Sequence, residues 1–373
     1  MRPVRPARPI SLGNGAAEIA SWLGCGQTSA PPHRGKSGAS VSDWRRTRAA
    51  KASGPPLRYY GSKTAEADEK RGVVEDTEGR IAAQDFSGEE PRNLGADRAV
   101  CPICPHACAL AEGQTGLCRA RVAEGGQVTD ANYGRITSLA LDPIEKKPLA
   151  RFRPGSKVLS VGSYGCNLRC PFCQNASIAC AGERDVLWRE VTPAELVDAA
   201  ASLVPEGNVG LAFTYNEPLV GLEFVRDTAR LAHERGLANV LVSNGYVNDG
   251  PLREVTPLID AANIDLKGFT QSFYDLVGGD LDTVKHTIEV LAATPTCHLE
   301  VTTLVIPGLN GSDQEIAEAA QWLASLDPSI PYHLTRFFPC HRLTDRPATA
   351  PETVHRLADI ARRYLKYVYV GNC

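Results

Sequence analysis

From residue 155 onward, short apolar runs alternate with amphipathic segments. Seven of the runs have the length and apolar character of buried strands, and they lie at residues 158–161, 209–214, 239–243, 263–266, 299–305, 333–338 and 367–370. Strands that alternate with helices at this spacing predict an α/β fold, in which right-handed crossovers connect a parallel sheet. In such folds the active site lies at the carboxyl ends of the strands.

The segments between these runs carry helix signals. Thr192 with Glu195, and Ser312 with Glu315, have the pattern of a capping box, in which two residues satisfy each other's free backbone amides. Apolar side chains at 222, 224, 225, 229, 231 and 232 are compatible with one broad helical face. Periodicity alone does not separate a barrel from a doubly wound sheet.

Residues 1–97 differ from the rest of the chain. The first 63 residues contain only Glu18 and Asp43 as acids, whereas residues 66–97 are acidic on balance. Apolar periodicity is absent, which favours disorder. The Arg-rich, acid-poor start also resembles a transit peptide, and a misassigned start is a third interpretation, although Met1 is the single methionine. We favour disorder or misassignment over targeting.

The composition narrows the class of protein. The chain has 373 residues and a net charge of −3, so its length suits one large domain with appendages, and it shows no clear nucleic-acid-binding surface. No apolar run is long enough to span a membrane, and there is no signal-peptide core. The 12 cysteines cluster at metal-ligand spacings rather than as a disulfide framework. We therefore predict a cytoplasmic protein.

A Cys-rich module is predicted over residues 98–153, ahead of a core domain over residues 154–373. Its four cysteines follow a C-x2-C-x3-C-x9-C spacing and are Cys101, Cys104, Cys108 and Cys118. Four thiols this close can enclose a zinc ion or hold an iron–sulfur cluster, and His106 is a fifth candidate ligand. The alternative is a group of reduced thiols buried as small hydrophobic side chains. We favour a metal or cluster, whose identity stays open.

A second cysteine group follows the first strand of the core. Cys166, Cys170 and Cys173 lie at C-x3-C-x2-C spacing in the stretch SVGSYGCNLRCPFCQN, and Gly162 and Gly165 let the backbone wrap around a metal centre. A structural zinc site has four protein ligands. Three ligands from one loop leave a position open, which indicates chemistry at the metal.

This loop and six further motifs resemble one known family. The motifs run from Val100 to Asn372 and are CPICPHACALAEGQTGLCRAR, NYGRITSLALDPIEKKPL, YGCNLRCPFCQN, FTYNEP, VSNGY, NIDLKGF and YVYVGN. Together they resemble the radical S-adenosylmethionine (SAM) superfamily and, within it, the radical SAM enzyme of the AmmeMemoRadiSam system, which is related to the activating enzymes of pyruvate formate-lyase.

The resemblance implies both fold and chemistry. It implies a partial (β/α)6 barrel of the TIM type, with a 4Fe–4S cluster on Cys166, Cys170 and Cys173. The amino and carboxylate groups of SAM would chelate the open iron. One electron would then cleave SAM to methionine and a 5′-deoxyadenosyl radical, which abstracts hydrogen from a substrate. The cofactors supply this chemistry, and the protein supplies position and potential.

The resemblance also implies the residues that bind SAM. In the family an aromatic residue at the position of Phe172 contacts the adenine. Glu217 of the YNEP motif accepts a hydrogen bond from the ammonium group, and Asn216 beside it is a further SAM-binding residue. The remaining SAM contacts implied by the motifs are Ser243, Asn244, Asp265, Lys267 and His341. YNEP departs from the superfamily's GGE pattern, because Tyr215 and Asn216 replace its two glycines.

Each of these residues has a structural alternative. Phe172 can belong to the core, and Glu217 can be an acid at a helix N-terminus that begins with Pro218. Ser243 and Asn244 can form a simple turn. His333 is a rival to His341, although a lone histidine on a strand is more often a satisfied core residue.

For two further regions of the chain, the sequence predicts a structural feature but no catalytic role. Residues 126–153 are expected to be a connector that packs the Cys-rich module against the core; the alternative is that Lys146 or Lys147 meets an anionic substrate or SAM. The chain ends at Cys373, where family members usually continue with a tail that carries another cysteine pair. We therefore expect a truncated C-terminus.

The sequence thus predicts a radical SAM enzyme that modifies or activates a partner macromolecule, with the installation of a glycyl radical as its activase-like variant. The resemblance implies an electron donor such as flavodoxin or ferredoxin, and association with Memo-like and AMMECR1-like proteins. The rival hypothesis is a non-catalytic scaffold in which both cysteine groups hold structural zinc. Cys180 is then the nearest alternative fourth ligand for the second group.

Overall fold

A computed structural model describes residues 98–373, and the predicted extension over residues 1–97 lies outside the described residues. The strands, in chain order, are β1 (Ala99–Val100), β2 (Ala109–Leu110), β3 (Arg121–Glu124), β4 (Gln127–Asp130), β5 (Arg135–Ile136), β6 (Ser138–Pro143), β7 (Lys157–Gly162), β8 (Arg189–Glu190), β9 (Asn208–Phe213), β10 (Ala238–Ser243), β11 (Ala261–Asp265), β12 (His298–Val305), β13 (Tyr332–Arg336) and β14 (Val368–Gly371).

The helices alternate with the longer strands. They are α1 (Ala176–Ala179), α2 (Pro193–Ser202), α3 (Leu222–Glu234), α4 (Asp249–Val255), α5 (Gln271–Val277), α6 (Leu281–Ala292), α7 (Asp313–Leu326) and α8 (Pro351–Ala361), with short 3-10 helices at Ile144–Lys146, Val204–Glu206, Pro218–Gly221 and Thr256–Leu258. Among residues 98–373, no helix combines the length and the apolar character needed to cross a bilayer.

One large sheet organises the described chain. Its eight strands lie in the order β14-β13-β12-β11-β10-β9-β7-β6, with β7 and β9–β14 parallel and β6 antiparallel to β7. All seven predicted strands are present. Each crossover moves one strand in the same direction, whereas a doubly wound sheet reverses at a switch point. The prediction of a partial barrel of the α/β class is therefore confirmed.

The helices cover the outer face of this sheet. Leu159, Leu211, Leu241, Ile264 and Val301 lie in one hydrophobic cluster with the buried faces of the helices. The amphipathic segment predicted from residue 222 is α3, and the side chains it buries include the predicted positions 222, 224, 225, 229 and 232.

Only one of the two predicted capping boxes is complete. Thr192 and Glu195 at the start of α2 satisfy each other's backbone amides as expected. At α7, Ser312 Oγ accepts from the Glu315 amide, but the Glu315 carboxylate accepts from Phe269 N at 2.8 Å instead of closing the box. The carboxylate serves a buried loop amide of the neighbouring βα unit, which the local sequence does not show.

The inner face of the sheet is covered near its N-terminal edge by residues 144–151. Ile144 and Leu149 are fully buried there against Val158, Ala212 and Val240. The connector therefore packs into the barrel. Strand β6, which belongs to the main sheet, lies before residue 154, where we place the start of the core; that boundary stays a prediction.

Candidate functional site

The cysteine loop after β7 is shaped by two glycines. Gly165 has φ +91°, and a Cβ there would lie 2.6 Å from the carbonyl oxygen of Cys118. At Gly162, a Cβ would lie 2.9 Å from the side chain of Tyr215. Cys166 N donates to Cys118 O at 3.2 Å in the same region. The loop is therefore held close to the Cys-rich segment by backbone contact that only glycine permits.

The three loop thiols are half-buried, and they are not gathered around a single point. Within residues 98–373, no group of three or more His, Cys, Asp or Glu side chains is gathered so that it could hold a single metal ion. Zinc needs all its ligands at about 2.0–2.3 Å from one ion, whereas the cysteines of a 4Fe–4S cluster bind different irons. A cluster on Cys166, Cys170 and Cys173 stays a prediction.

Burial disfavours the thiolate form of these three cysteines. Burial raises the pKa of Cys170 to about 11, although the nearby Lys267 opposes the rise. Burial also raises the pKa of Cys166 and Cys173. Metal ligation requires thiolates, so loading this loop must release protons.

Glu217 lies in the loop after β9 and is 3% exposed. Its carboxylate accepts from Ser243 Oγ at 2.8 Å, from Asn244 N at 2.8 Å and from Leu219 N at 3.0 Å. Burial raises the pKa of Glu217, and these donors oppose the rise. The bond to Leu219 N makes Glu217 the cap of the 3-10 helix that starts at Pro218, so the structural alternative is confirmed. A contact with SAM stays a prediction.

Asn244 connects that network to the cysteine loop. Its Nδ2 lies 3.6 Å from Cys166 Sγ and donates to Asn167 Oδ1 at 2.9 Å, while its Oδ1 accepts from Tyr246 N at 2.8 Å. The VSNG segment does form a turn. Its side chains also bring the ends of β9 and β10 into contact with the loop after β7.

Asp265 and Lys267 form an ion pair at the end of β11. Lys267 Nζ lies 2.6 Å from Asp265 Oδ2, and the lysine side chain is 18% exposed. Burial works against the charge on Lys267, yet the Asp265 carboxylate and the thiols of Cys170 and Cys173 raise its pKa above the ordinary value. The two charges pair with each other, which offsets the free-energy cost of burying them. The Lys267 cation also lies near the thiols of the cysteine loop.

Phe172 and Asn216 both fix the loops of the site. Phe172 is 4% exposed and its ring lies 5.9 Å from that of Phe273, so it is a core residue. Asn216 accepts from Ser163 N at 3.0 Å and donates to Gly165 O at 3.1 Å. Its side chain thus pins YNEP to the cysteine loop, while contacts of either residue with SAM stay predictions.

The two rival histidines have different surroundings. His333 is buried and lies 2.6 Å from Glu300 Oε2, as expected of a satisfied core histidine. His341 is exposed and has φ +54°. Its neighbour Cys340 donates to Phe172 O at 3.1 Å, so the segment reaches the cysteine loop, and the role of His341 stays a prediction.

The sequence analysis missed a buried triad inside the barrel. Tyr215 OH donates to Asp142 Oδ2 at 2.7 Å, and Lys147 Nζ lies 2.8 Å from the same oxygen and 4.5 Å from the Tyr215 ring centre. Tyr215 has φ +73°. A tyrosine at a glycine position of the family motif was the available signal, since the turn then bears strain that its side chain must offset.

The four cysteines of the Cys-rich segment lie around one cavity, and a metal or cluster there stays a prediction. Cys101, Cys104, Cys108 and Cys118 line one cavity, which Arg121 and His106 also line. His106 Nε2 is engaged with Asn167 O at 2.9 Å, next to the cysteine loop. Arg121 ends the motif that begins at Cys101, but it was not singled out from the sequence because it is not a metal-ligand type of residue.

Comparisons with known proteins place this site in a family. Residues 160–323 match the radical SAM superfamily. The chain is 37% identical over 281 residues to the uncharacterized protein MJ0808 of Methanocaldococcus jannaschii, across 75% of this chain and 83% of that protein.

Two solved structures also show similarity. A domain of pyruvate-formate lyase-activating enzyme from Bacteroides vulgatus is 20% identical with a TM-score of 0.39, over 44% of this chain and 99% of that one. A radical SAM methyltransferase from Sphaerobacter thermophilus is 18% identical with a TM-score of 0.44, over 59% and 67%. The sequence similarities give the conclusion: residues 160–323 are a radical SAM superfamily domain, and the chain belongs to the same family as MJ0808.

Proposed function

We propose that this protein holds a 4Fe–4S cluster on Cys166, Cys170 and Cys173 and uses it with SAM to start radical chemistry on a substrate. One observation carries the proposal. The cysteine loop, Glu217 with Ser243 and Asn244, and the Asp265–Lys267 pair follow four adjacent strands and contact or face one another. When bound, the cluster and SAM supply one-electron cleavage of the sulfonium to methionine and a 5′-deoxyadenosyl radical, which abstracts hydrogen.

The chain's own residues prepare the site for that chemistry. Glu217 presents a buried carboxylate that three donors hold in place, which suits it to receive the SAM ammonium group. Asn244 directs an amide N–H toward Cys166 Sγ, and such contacts tune a cluster's potential. Lys267 places a cation beside Cys170 and Cys173, where it offsets the negative charge of ligated thiolates.

Anaerobic reconstitution tests the proposal. Wild-type protein should bind about four irons at the loop and form 5′-deoxyadenosine when a reductant and SAM are added. Cys170→Ala should lose both the loop iron and the product. Cys297→Ala, at a buried cysteine outside the loop, and Cys180→Ala should retain both. A protein that binds only zinc and leaves SAM intact would support the scaffold hypothesis instead.

We also propose that the substrate is a partner macromolecule, and that the enzyme is the radical SAM member of the AmmeMemoRadiSam system, acting in the cytoplasm with a flavodoxin or ferredoxin as donor. The support is the set of seven motifs between Val100 and Asn372. Anaerobic co-purification with mass spectrometry tests it. Memo-like or AMMECR1-like proteins among the partners support the system assignment, a glycyl-radical enzyme supports the activase variant, and a bound small molecule contradicts a macromolecular substrate.

A further inference from the structure

The proposed function leaves the Cys-rich segment unused. Cys101, Cys104 and Cys118 are buried and Cys108 is partly buried, and all four line one cavity. The segment is folded so that Cys101 N donates to Cys108 O at 3.0 Å. Thiols that serve only as small hydrophobic side chains pack against neighbours. These four also line one cavity, although Cys101 and Cys104 belong to the main hydrophobic cluster as well.

Arg121 is a second and independent sign of a ligand in that cavity. Its side chain is 2% exposed and lines the same space. Its two terminal nitrogens are engaged, with Glu223 at 2.5 and 2.8 Å and with Val128 O at 2.9 Å. Its Nε–H, however, is buried without an acceptor among the described residues. A buried donor on a cation is costly to leave unpaired, so the cavity is suited to an anionic acceptor.

The four thiols of the Cys-rich segment can be compared with the ligand sets of a zinc ion and of an iron–sulfur cluster. A tetrahedral zinc ion would need all four sulfurs at about 2.3 Å from one point. No three of the metal-ligating side chains within residues 98–373 are gathered in that way. The same is true of Cys166, Cys170 and Cys173, for which the proposed function assigns a cluster. Four cysteines around a cavity match the full ligand set of an iron–sulfur cluster.

We propose that Cys101, Cys104, Cys108 and Cys118 ligate a second iron–sulfur cluster, and that Arg121 Nε–H donates to one of its sulfurs. With four protein ligands this cluster has no open iron, so it is not a second SAM site. The proposal rests on the proposed function only for the assignment of the other cluster to the loop after β7. Either cluster can be present without the other.

Iron and sulfide counting on the full chain, reconstituted anaerobically, tests the proposal. Wild-type protein should hold about eight irons and about eight sulfides, and Cys170→Ala about four of each. The double variant Cys104→Ala/Cys118→Ala should also hold about four, with Mössbauer spectra that differ from those of Cys170→Ala. Cys297→Ala is the matched control and should keep about eight.

The outcomes separate the two proposals. About four irons in wild type, with no loss in Cys104→Ala/Cys118→Ala, would show that the thiols only pack. About four irons with one zinc that this double variant loses would show a zinc site; either result overturns the inference. About four irons in both wild type and Cys170→Ala would instead keep the second cluster and overturn the proposed function.

The role of Arg121 has its own measurement. In the Cys170→Ala background, where the second cluster is isolated, Arg121→Lys keeps a charge but removes the Nε–H. The cluster's reduction potential should fall, because a donor to sulfur is lost. Glu223→Gln weakens the same ion pair but keeps the Nε–H, so its potential should not fall. An unchanged potential in a correctly folded Arg121→Lys variant would contradict the proposed hydrogen bond.

Discussion

At the scale of single residues, Glu217 joins the loop after β9 to the end of β10. It is almost fully buried and accepts three hydrogen bonds, two of them from the turn after β10. A buried carboxylate that holds two loops together has a structural role by itself. A functional test must therefore separate the loss of its charge from the loss of its contacts.

We expect Glu217→Gln to weaken SAM binding about 10- to 100-fold, since a hydrogen bond to a charged group contributes about 1.5–3 kcal/mol. The measurement is anaerobic equilibrium binding to reconstituted protein. Glu315→Gln is the control, because Glu315 is also a buried carboxylate that accepts from a backbone amide. Equal SAM affinity in the Glu217 variant and wild type would remove Glu217 from the binding site.

The cysteine loop after β7 could be recognised from the sequence, because the ligands of a cluster lie at a fixed spacing within one loop. The same logic could not find Tyr215 or Arg121 as functional supports. Each acts through a partner far along the chain, Asp142 at 2.7 Å and Glu223 at 2.8 Å respectively. Such pairs are visible only in the folded structure, since neither the spacing of motif residues nor the apolar periodicity of the sequence indicates them.

At the scale of elements, the segment at residues 144–151 packs against the inner face of the sheet. Lys147 and Lys146 are adjacent in sequence, but their side chains are 4% and 66% exposed. Both contact Asp142. Only the Lys147 ion pair is buried, and Tyr215 covers it.

We expect Lys147→Met to reduce the free energy of unfolding by about 3 kcal/mol, because it leaves the Asp142 carboxylate with only the exposed Lys146 as a counter-charge. Lys146→Met is the matched control and should cost about 0–1 kcal/mol, as for an exposed ion pair. Urea denaturation of both variants is the measurement. Similar losses in the two variants would contradict the distinction between the two lysines.

A second buried carboxylate ties the connector to β12 and β13. Glu300 is fully buried and accepts from His298, His333 and the backbone amides of Ala150 and Arg151. Burial opposes its charge, but these donors lower its pKa from 4.5 to about 2. Because the folded-state pKa is depressed, the contribution to stability is present above pH 4.5 and is lost as the pH falls toward 2.

Glu300→Gln should therefore destabilise the protein by about 3 kcal/mol at neutral pH. The difference from wild type should shrink as the pH falls below about 4.5. Urea unfolding across pH measures it, with the exposed Glu318→Gln as a control of small effect. A difference that stays constant down to about pH 3 would show that geometry rather than charge is lost.

The elements themselves were largely predictable, because a strand buried on both faces in a parallel sheet is a continuous apolar run. Strand β6 was missed as a member of the main sheet. It contains Asp142 and runs antiparallel at the edge, so its sequence looks like that of a connector. The second capping box failed because a contact distant in sequence, from Glu315 to Phe269, took precedence over a local one.

At the scale of the whole molecule, the strand order determines which motifs can meet. Strands β7, β9, β10 and β11 are adjacent and parallel, so their carboxyl ends lie side by side. Four motifs that are far apart in sequence therefore surround one place. Alternation of strands and helices predicted this arrangement, while the direction of winding required the family resemblance. The Cys-rich segment's position against the loop was not predictable, because it depends on contacts between Cys118 and Cys166.

A site assembled from four strand ends should stabilise the entire core when it binds SAM. At about 100 times the dissociation constant, SAM should add about 2.7 kcal/mol and raise Tm by about 5–10 °C. Anaerobic thermal scanning of reconstituted protein is the measurement. Cys170→Ala, which should lack the loop cluster, should show little of the shift, and an equal shift in that variant would place SAM elsewhere.

The contact at Gly165 bears on whether the chain folds before iron is inserted. With no side chain, Gly165 lets the loop lie directly beneath the carbonyl of Cys118. That contact joins two segments with β3 to β7 between them. Iron insertion is therefore expected to follow folding, so that assembly machinery would meet a nearly finished protein. We expect a larger residue at position 165 to push the loop away from Cys118, and iron counting after reconstitution should then show less iron than in wild type.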